Sequence, residues 1–295
     1  NISLTATAGT IGLTGADRLV IGTAQRSTAP GTDTANAGDI TLSSQDEINN
    51  ATSSTALDVK FGAATAGTTD DGVLTVTTTG SAGNIFITAG EALEIGVLDT
   101  ANGTAEVISI ITTAGNLTWS ATSSLDTDAV TLGGSGPGVL TLPASQTVGS
   151  LTGTGNSVGI SAGANIVTTA STTSGTASGN ISLTADTSTI ALAANLTTGT
   201  ATVADASSAA QTATTGNITL VAATNITGAG VITTGAAELT GSAQGGSDVA
   251  TSGNISLTAT AGTIGLTGAD RLVIGTAQRS TAPGTDTANA GDITL

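Results

Sequence analysis

The chain has 295 residues and a formal net charge of −16, with five basic side chains against 21 acidic ones. It contains 41 glycines and one tryptophan, and it has no histidine, cysteine, methionine or tyrosine. Without histidine and cysteine, imidazole and thiol catalysis and the usual zinc, haem and iron–sulfur ligand sets are excluded. The acidic excess argues against nucleic acid and anionic membranes as partners. Only 9% of the residues are charged and the mean hydropathy is +0.30, which argues against disorder.

Short alternating apolar runs predict β-strands along the chain. In chain order they lie at 2–4, 11–13, 19–21, 40–42, 73–77, 85–87, 93–95, 107–111, 181–183, 190–192, 218–220, 226 and 239. The alternation places isoleucine and leucine on one face of each strand, as at Ile2 and Leu4. Glycine, threonine and serine are too frequent for any convincing helix. We therefore predict an all-β chain of short strands joined by Gly, Asn, Ser and Asp turns.

The sequence repeats on two levels. Residues 1–42 recur without a change as residues 254–295, so the repeat period is 253 residues. Within that period, a Gly–Asn or Gly–Asp pair opens an apolar run seven times. The second residues of these pairs are Asp39, Asn84, Asn116, Asn156, Asn180, Asn217 and Asn254. We therefore expect residues 1–253 to be one full period of about seven units in one continuous solenoid, cut from a longer tandem array, and residues 254–295 to start the next period.

These features favour a parallel β-helix over a β-sandwich. A sandwich array normally shows hairpin turns 8–12 residues apart and a buried aromatic anchor. A β-helix instead stacks coils about 4.8 Å apart around a narrow interior that suits small and β-branched side chains. The predicted fold is a β-solenoid with variable-length loops. We also predict that the seven turn Asn and Asp side chains form a ladder, each bonding its neighbours one coil away, although a Gly–Asn pair can simply make a tight turn.

The fullest form of the unit reads GNIxLTA…TIxL, at Gly179–Leu192 and Gly253–Leu266, with a shorter match at Asn1–Leu13. In these stretches the chain resembles the haemagglutinin-type β-helix adhesins of two-partner and related secretion systems. The resemblance implies a right-handed parallel β-helix, export across a Gram-negative envelope and a filamentous role in adhesion or cell–cell contact.

Acidic pairs are the candidate metal sites. Asp70 with Asp71, and Asp126 with Asp128, are carboxylates that together with carbonyl oxygens suit a hard cation such as Ca²⁺. The simpler interpretation is that these carboxylates are solvated turn residues. The glycine-rich nonapeptide that binds Ca²⁺ in some exported repeat proteins does not occur in the sequence. No other cofactor is expected.

Glycoside hydrolysis and ice binding are two further activities that a β-helix can support. Glycoside hydrolysis needs two carboxylates about 5–9.5 Å apart, and Glu91 with Glu94 is one possible pair. Sugar-binding platforms usually use Trp or Tyr, and Trp119 is more simply explained as a packing residue. Ice binding needs regular columns of outward threonines, and pairs such as the one that starts at Thr75 do not recur in every unit. We therefore do not expect an enzyme.

The expected function is structural. The sequence suits a segment of a giant extracellular repeat protein that acts as a rigid fibre or stalk on the surface of a Gram-negative bacterium. Its expected partners are other copies of its own repeat, by coil stacking, and an unidentified surface receptor or glycan. The alternative is a self-assembling surface-layer or sheath subunit linked by cations. Because the sequence contains no run of 18 apolar residues, membrane insertion by this segment is not expected.

Overall fold

The computed structural model describes residues 1–13, 19–21, 24–25, 34–36, 38–49, 56–61, 64–65, 68–70, 72–80, 83–100, 106–119, 125–134, 138–142, 145–160, 165–205, 209–241, 247–279 and 286–295. Every regular element in these ranges is a β-strand, and every described strand pair is parallel. The predicted all-β fold with stacked parallel strands is therefore confirmed, whereas its right-handed sense stays a prediction. The described residues contain no helix that is long and apolar enough to cross a membrane.

The strands fall into two compact units. Unit 1 comprises Asn1–Pro143 with Thr154–Asn156, and unit 2 comprises Ala144–Gly153 with Ser157–Leu295. The strands of unit 1 are β1 (Ile2–Ala6), β2 (Leu19–Ile21), β3 (Ala24–Gln25), β4 (Thr34–Asn36), β5 (Ile40–Ser44), β6 (Leu57–Phe61), β7 (Ala64–Thr65), β8 (Thr68–Asp70), β9 (Leu74–Thr78), β10 (Ile85–Ala89), β11 (Leu93–Thr100), β12 (Val107–Thr112), β13 (Leu117–Trp119), β14 (Leu125–Gly134) and β15 (Val139–Leu142).

The strands from β16 onward belong mainly to unit 2. They are β16 (Ser145–Gly155), β17 (Ser157–Ile160), β18 (Asn165–Thr168), β19 (Ile181–Ala185), β20 (Ile190–Leu192), β21 (Asn195–Thr197), β22 (Ala201–Asp205), β23 (Thr212–Thr214), β24 (Ile218–Ala222), β25 (Ile226–Gly228), β26 (Ile232–Thr233), β27 (Ala237–Gly241), β28 (Val249–Thr251), β29 (Ile255–Ala259), β30 (Ile264–Leu266), β31 (Leu272–Val273), β32 (Ala277–Arg279), β33 (Thr287–Asn289) and β34 (Ile293–Thr294).

Each unit stacks its strands coil upon coil. In unit 1 one sheet runs β1-β5-β9-β11-β13-β15 and a second runs β2-β6-β10-β12-β14, while β3 pairs with β7 and β4 with β8. In unit 2 the sheets run β17-β20-β25-β30, β16-β18-β21-β26-β31, β19-β24-β29-β34, β22-β27-β32 and β23-β28-β33. Strands that are distant in sequence are therefore neighbours in space, as in a solenoid.

Coil length varies along the chain. Turn residues that are bonded one coil apart are 37 residues apart at Asn180 and Asn217, but only 23 apart at Asn84 and Val107. The long coils of unit 2 hold five strands, for example β24 to β28, whereas a short coil of unit 1 holds two, for example β11 and β12. The variable loop length that the sequence predicts therefore corresponds to whole extra strands.

Columns of isoleucine and leucine fill the interior. Ile181, Ile218 and Ile255 are aligned on successive strands of unit 2 and are fully buried. Each such side chain contributes about 1.5–3 kcal/mol by leaving water. The outward residues of the same strands are mainly serine and threonine, so the period-2 alternation of the sequence determines which face packs inward.

Candidate functional site at the coil edges

The two copies of the 42-residue repeat, residues 1–42 (the first copy) and 254–295 (the second copy), form matching strands. Strands β1 and β29 cover the same five positions of the repeat, and β4 and β33 cover the same three. Ile2 pairs with Ile40 in the first copy, and the equivalent Ile255 pairs with Ile293 in the second. The repeat therefore keeps its local structure and its register at both places in the chain.

The two copies differ in the neighbours that cover them. The first copy is followed by the coil of residues 40–73, and its strands β1 to β4 have no described partner on the opposite edge. The second copy is preceded by the coil of residues 217–252, which we call the joining coil. The edge that is covered in one copy is therefore the edge that is open in the other.

Burial follows this difference for the first strand of the repeat. Ile2 and Leu4 are partly exposed. Their equivalents Ile255 and Leu257 are 0% exposed, because the joining coil covers them. The same two side chains are therefore partly exposed at one place and completely buried at the other.

The later positions of the repeat show the opposite difference. Ile11 and Leu19 in the first copy are 7% and 6% exposed, because the following coil packs against them. The equivalent Ile264 and Leu272 in the second copy are partly exposed. The open edge of the second copy is thus the one that the following coil covers in the first copy.

A pocket lies beside Ile264 at that edge. It has a volume of about 430 Å³ and is lined by Thr258, Ala259, Gly262, Ile264, Thr294 and Leu295. At the equivalent place in the first copy, the backbone of Gln45 donates to Ala6 O at 2.9 Å, and Ile11 N donates to Glu47 O at 3.1 Å. The pocket therefore corresponds to the place that the chain after position 42 of the repeat fills in unit 1.

The turn asparagines bond from coil to coil. Asn217 N donates to Asn180 Oδ1 and Asn254 N donates to Asn217 Oδ1, both at 2.7 Å. Asp292 N in turn donates to Asn254 Oδ1 at 2.7 Å. In this column the side-chain oxygen of each turn residue therefore accepts from the backbone N–H of the equivalent turn residue one coil later.

The seven predicted ladder residues do not lie in one column. Asp39 and Asn116 precede strands of the first sheet of unit 1, and Asn84 precedes β10 in the second sheet. Their side-chain oxygens accept from Val73 N, Val139 N and Val107 N respectively. Asn156 N donates to Gly138 O at 2.9 Å. Only Asn180, Asn217 and Asn254 follow one another on consecutive coils of a single column.

A second column was not recognised in the sequence. Hydroxyl residues directly before a glycine are buried at the coil corners, where Gly216 N donates to Ser178 Oγ at 2.9 Å and Gly253 N donates to Thr215 Oγ1 at 2.7 Å. The same bond recurs between Gly235 and Thr198, Gly275 and Thr234, and Gly291 and Ser252. A Cβ atom on Gly253 would overlap the carbonyl oxygen of Gly216, so glycine is required here for close approach. The sequence signal for this column is a Ser or Thr directly before a glycine, repeated one coil later.

Asp128, one of the candidate cation ligands, is buried inside unit 1. Its Oδ1 accepts from Glu106 N at 3.1 Å and its Oδ2 accepts from the Thr100 hydroxyl. Burial raises the pKa of Asp128 to about 7, and the neighbouring Glu106 side chain adds to this rise. The side chain thus holds a proton up to near-neutral pH in the fold.

The other candidate cation ligands lie where no side-chain contacts are described. Asp70 ends β8 and Asp126 belongs to β14, but only their backbones are described, and Asp71 lies outside the described residues. In the part of the chain that the structure covers, no three His, Cys, Asp or Glu side chains come together as a metal site. The Ca²⁺ interpretation stays a prediction.

The residues that bear on sugar and ice binding lie on strands of unit 1. Trp119 is 1% exposed in the core of unit 1, so its ring does not present a face to a sugar. The outward column Thr5, Ser43 and Thr77 mixes serine with threonine and continues to Asp99. A regular double column of threonines is therefore not formed on these strands.

Comparisons with known proteins found no matching family model, curated protein or solved structure. Function must therefore be inferred from the geometry of the chain itself. Its most distinctive features are the two complementary edges and the columns of backbone-directed Asn, Ser and Thr side chains.

Proposed function

We propose that this chain is a structural segment of an extracellular tandem-repeat fibre or stalk that serves adhesion or cell–cell contact. The observation that carries the proposal is the pairing of Ile2 with Ile40 and of Ile255 with Ile293, the same register in two copies of the repeat. A repeat that keeps its register at both copies is suited to continue from one period to the next.

The physical properties of the coils support this role. Parallel stacking satisfies backbone hydrogen bonds along the coils and leaves open strand edges at the ends of the stack. The absence of cysteine makes stability independent of redox conditions, and the net charge of −16 disfavours random self-association. The resemblance to haemagglutinin-type β-helix adhesins favours the surface of a Gram-negative cell.

The alternative proposal is a self-assembling surface layer or sheath, linked by cations. Both proposals use coil edges, but the layer also needs lateral bonds between fibres, and acidic side chains bridged by a cation would supply them. Chelation is therefore the treatment that separates the two functions.

The test is immunogold labelling of intact cells that produce the protein, with an antibody raised against residues 1–295. We expect label on extended surface structures, and arrays with more 253-residue periods should be longer by a constant increment. Labelling only after the cells are opened would contradict the proposal. Dispersal of the labelled structures by EDTA would favour the layer, whereas unchanged structures would favour the covalent fibre.

A further inference from the structure

Strand β22 (Ala201–Asp205) has an open edge in the middle of the chain. It pairs with β27 on one side and is the last strand of the sheet β22-β27-β32 on the other. The coil before it carries no equivalent strand and instead turns tightly between Ser171 and Ala177. Among the described residues, this turn pairs with β22 only through a single bridge, between Ser171 and Ala201. The rest of the edge is therefore not covered by any described strand.

The hydrogen bonds show which backbone groups face this edge. Ser171 N donates to Thr200 O at 2.8 Å, and Thr202 N donates to Ser171 O at 2.9 Å. Successive residues of a strand direct their N–H and C=O groups to opposite sides, so Ala204 faces the same side as Thr202. The N–H and C=O groups of Ala204 therefore point to a side on which no described strand lies.

The neighbouring strand β23 shows that the same turn can cover an edge. Thr212 N donates to Ser174 Oγ at 3.0 Å, and Gly175 N donates to Thr212 O at 3.1 Å. At the end of the turn, Ser178 N donates to Thr214 O at 3.1 Å. The turn thus covers β23 and the beginning of β22, and it leaves the second half of β22 open.

Strand β22 carries none of the features that usually protect an open edge. Such edges typically hold a lysine, a proline or a bulge. The sequence of β22 is ATVAD, and its register with β27 is uninterrupted. Thr202 and Ala204 are exposed on its outer face. Small uncharged side chains beside open backbone groups favour the addition of another strand.

We infer that β22 is a lateral docking strand that pairs in the antiparallel direction with β22 of a second copy of this chain. The inference rests on the proposed fibre function and names the strand through which neighbouring fibres associate. The charge distribution favours a second copy. The chain has a net charge of −16, but residues 129–185, which include the turn beside the edge, contain no charged residue. Two copies therefore meet here with less repulsion than their net charge produces elsewhere.

Two-fold symmetry fixes the register of this contact. When the axis passes beside Ala204, each Ala204 N–H donates to the Ala204 carbonyl of the other copy, so both open groups are satisfied. A register centred on Val203 would need the N–H of Thr202, which already donates to Ser171 O. In the Ala204 register, Asp205, the only charged residue of β22, lies opposite Val203 and not opposite a second Asp205.

Disulfide trapping in the full chain tests this contact, because the chain has no native cysteine. In the Ala204 register, two Ala204→Cys residues lie directly opposite each other with their Cα atoms about 5.5 Å apart, which suits a disulfide. Thr202→Cys is the matched control on the same face of the strand, but its two copies would lie about 14 Å apart along the strands. On non-reducing gels we expect disulfide dimers of Ala204→Cys to form at least tenfold faster than those of Thr202→Cys.

Further controls separate specific pairing from random collision. Thr240→Cys, on β27 directly beside Ala204, should also react slowly because its thiol is one strand farther from the edge. In concentrated urea, Ala204→Cys and Thr202→Cys should form dimers at equal rates. Far-UV circular dichroism checks that the variants keep their β-structure without urea.

Equal rates for Ala204→Cys and Thr202→Cys in the folded chain would overturn the inference. EDTA should leave the faster rate of Ala204→Cys unchanged, because the contact consists of backbone hydrogen bonds. A rate that EDTA lowers to that of Thr202→Cys would assign the association to cations and would also overturn the inference.

The failure of this inference and the failure of the proposed function are distinguishable. Equal trapping rates would leave surface labelling of the fibre unaffected. Specific trapping in solution without label on intact cells would contradict the proposed function alone.

Discussion

Residues 1–42 and residues 254–295 have one sequence and two patterns of burial. Ile2 is partly exposed where its equivalent Ile255 is completely buried, and Ile264 is partly exposed where its equivalent Ile11 is 7% exposed. Strands β1 and β29 nevertheless cover the same positions of the repeat, as do β4 and β33, and Ile2 and Ile255 pair in the same register. Burial in this molecule is therefore determined by the neighbouring coil, whereas strand formation is determined by the repeat itself.

The comparison also shows that a coil has two different faces. One face of the repeat fits the joining coil, and the other fits the coil of residues 40–73. Contacts between unlike faces propagate in one direction, as heterologous interfaces do. Substitutions at equivalent positions of the two copies separate the contribution of each face.

The largest expected effect is at the corner between the joining coil and the second copy. Gly253→Val places a side chain where the carbonyl oxygen of Gly216 lies, so the coils must separate. We expect a loss of about 4 kcal/mol or more in the free energy of unfolding, measured by urea denaturation with far-UV circular dichroism. Gly265→Val is the control, because its Cβ has only Thr227 Cγ2 nearby, at 3.9 Å. Equal losses for the two variants would contradict the packing described for this corner.

The next largest effects should differ between the copies in opposite directions. Leu257→Ala removes a completely buried side chain and should cost about 3 kcal/mol, whereas Leu4→Ala should cost about 1 kcal/mol. For the second pair the order reverses, and Ile11→Ala should cost more than Ile264→Ala. The same denaturation experiment measures all four variants. If both pairs of variants show the larger loss of unfolding free energy in the same copy, the neighbouring coils do not determine burial as described.

A pH effect of about 2–3 kcal/mol is expected from Asp128 in unit 1. Asp128 has a pKa of about 7 in the fold against 3.8 ordinarily, so the folded chain binds a proton that the unfolded chain has lost. Stability should therefore fall by about 1.4 kcal/mol per pH unit as pH rises from 5 towards 7, and it should level off above 7. Trp119 fluorescence reports the unfolding of unit 1, since it is the only tryptophan.

The variant Asp128→Asn is the control for the pH effect. Its neutral amide replaces the protonated carboxyl group beside Thr100 and Glu106, so the slope between pH 5 and 8 should disappear. A slope that persists in Asp128→Asn would assign the effect to another group.

The smallest effect should be equal in the two copies. Asn1 Oδ1 accepts from Asp39 N at 2.8 Å, and Asn254 Oδ1 accepts from Asp292 N at 2.7 Å. Both bonds are made to the following coil, which is present in each case, so Asn1→Ala and Asn254→Ala should each cost about 1 kcal/mol. Urea midpoints that differ clearly between these two variants would show that the bond depends on the preceding coil.

The sequence predicts the strands where the alternation is clean, as at Ile2–Ala6 and Ile218–Ala222. It did not predict the strands between Leu117 and Thr168, because their alternating runs are short and hold only two inward apolar residues, as at Leu140 and Leu142. Gly–Asn pairs also failed to mark the coils one for one. Strand β9 starts a coil after Gly72 and Val73, with Asp39 accepting from Val73 N. Which strands become neighbours depends on coil length, and local sequence does not reveal it.

The sequence predicts the candidate site only in part, for a similar reason. The identity of the two copies is visible in the sequence, but their different burial depends on which coil lies on each edge. The buried hydroxyl column at Ser178, Thr215 and Ser252 consists of residue types that also form ordinary turns. Only the spatial alignment of these corners shows that each hydroxyl accepts from the glycine one coil later.

The identity of the 42 residues has a consequence for how such a gene changes in length. When recombination joins one copy to the other at equivalent positions, the sequence across the junction is the same 42 residues as before. Every strand pair around that junction then keeps its partner and its register, because both faces of the repeat are already specified. Chain length can thus change by recombination in steps of 253 residues. Each product contains only contacts between coils that the present chain already makes.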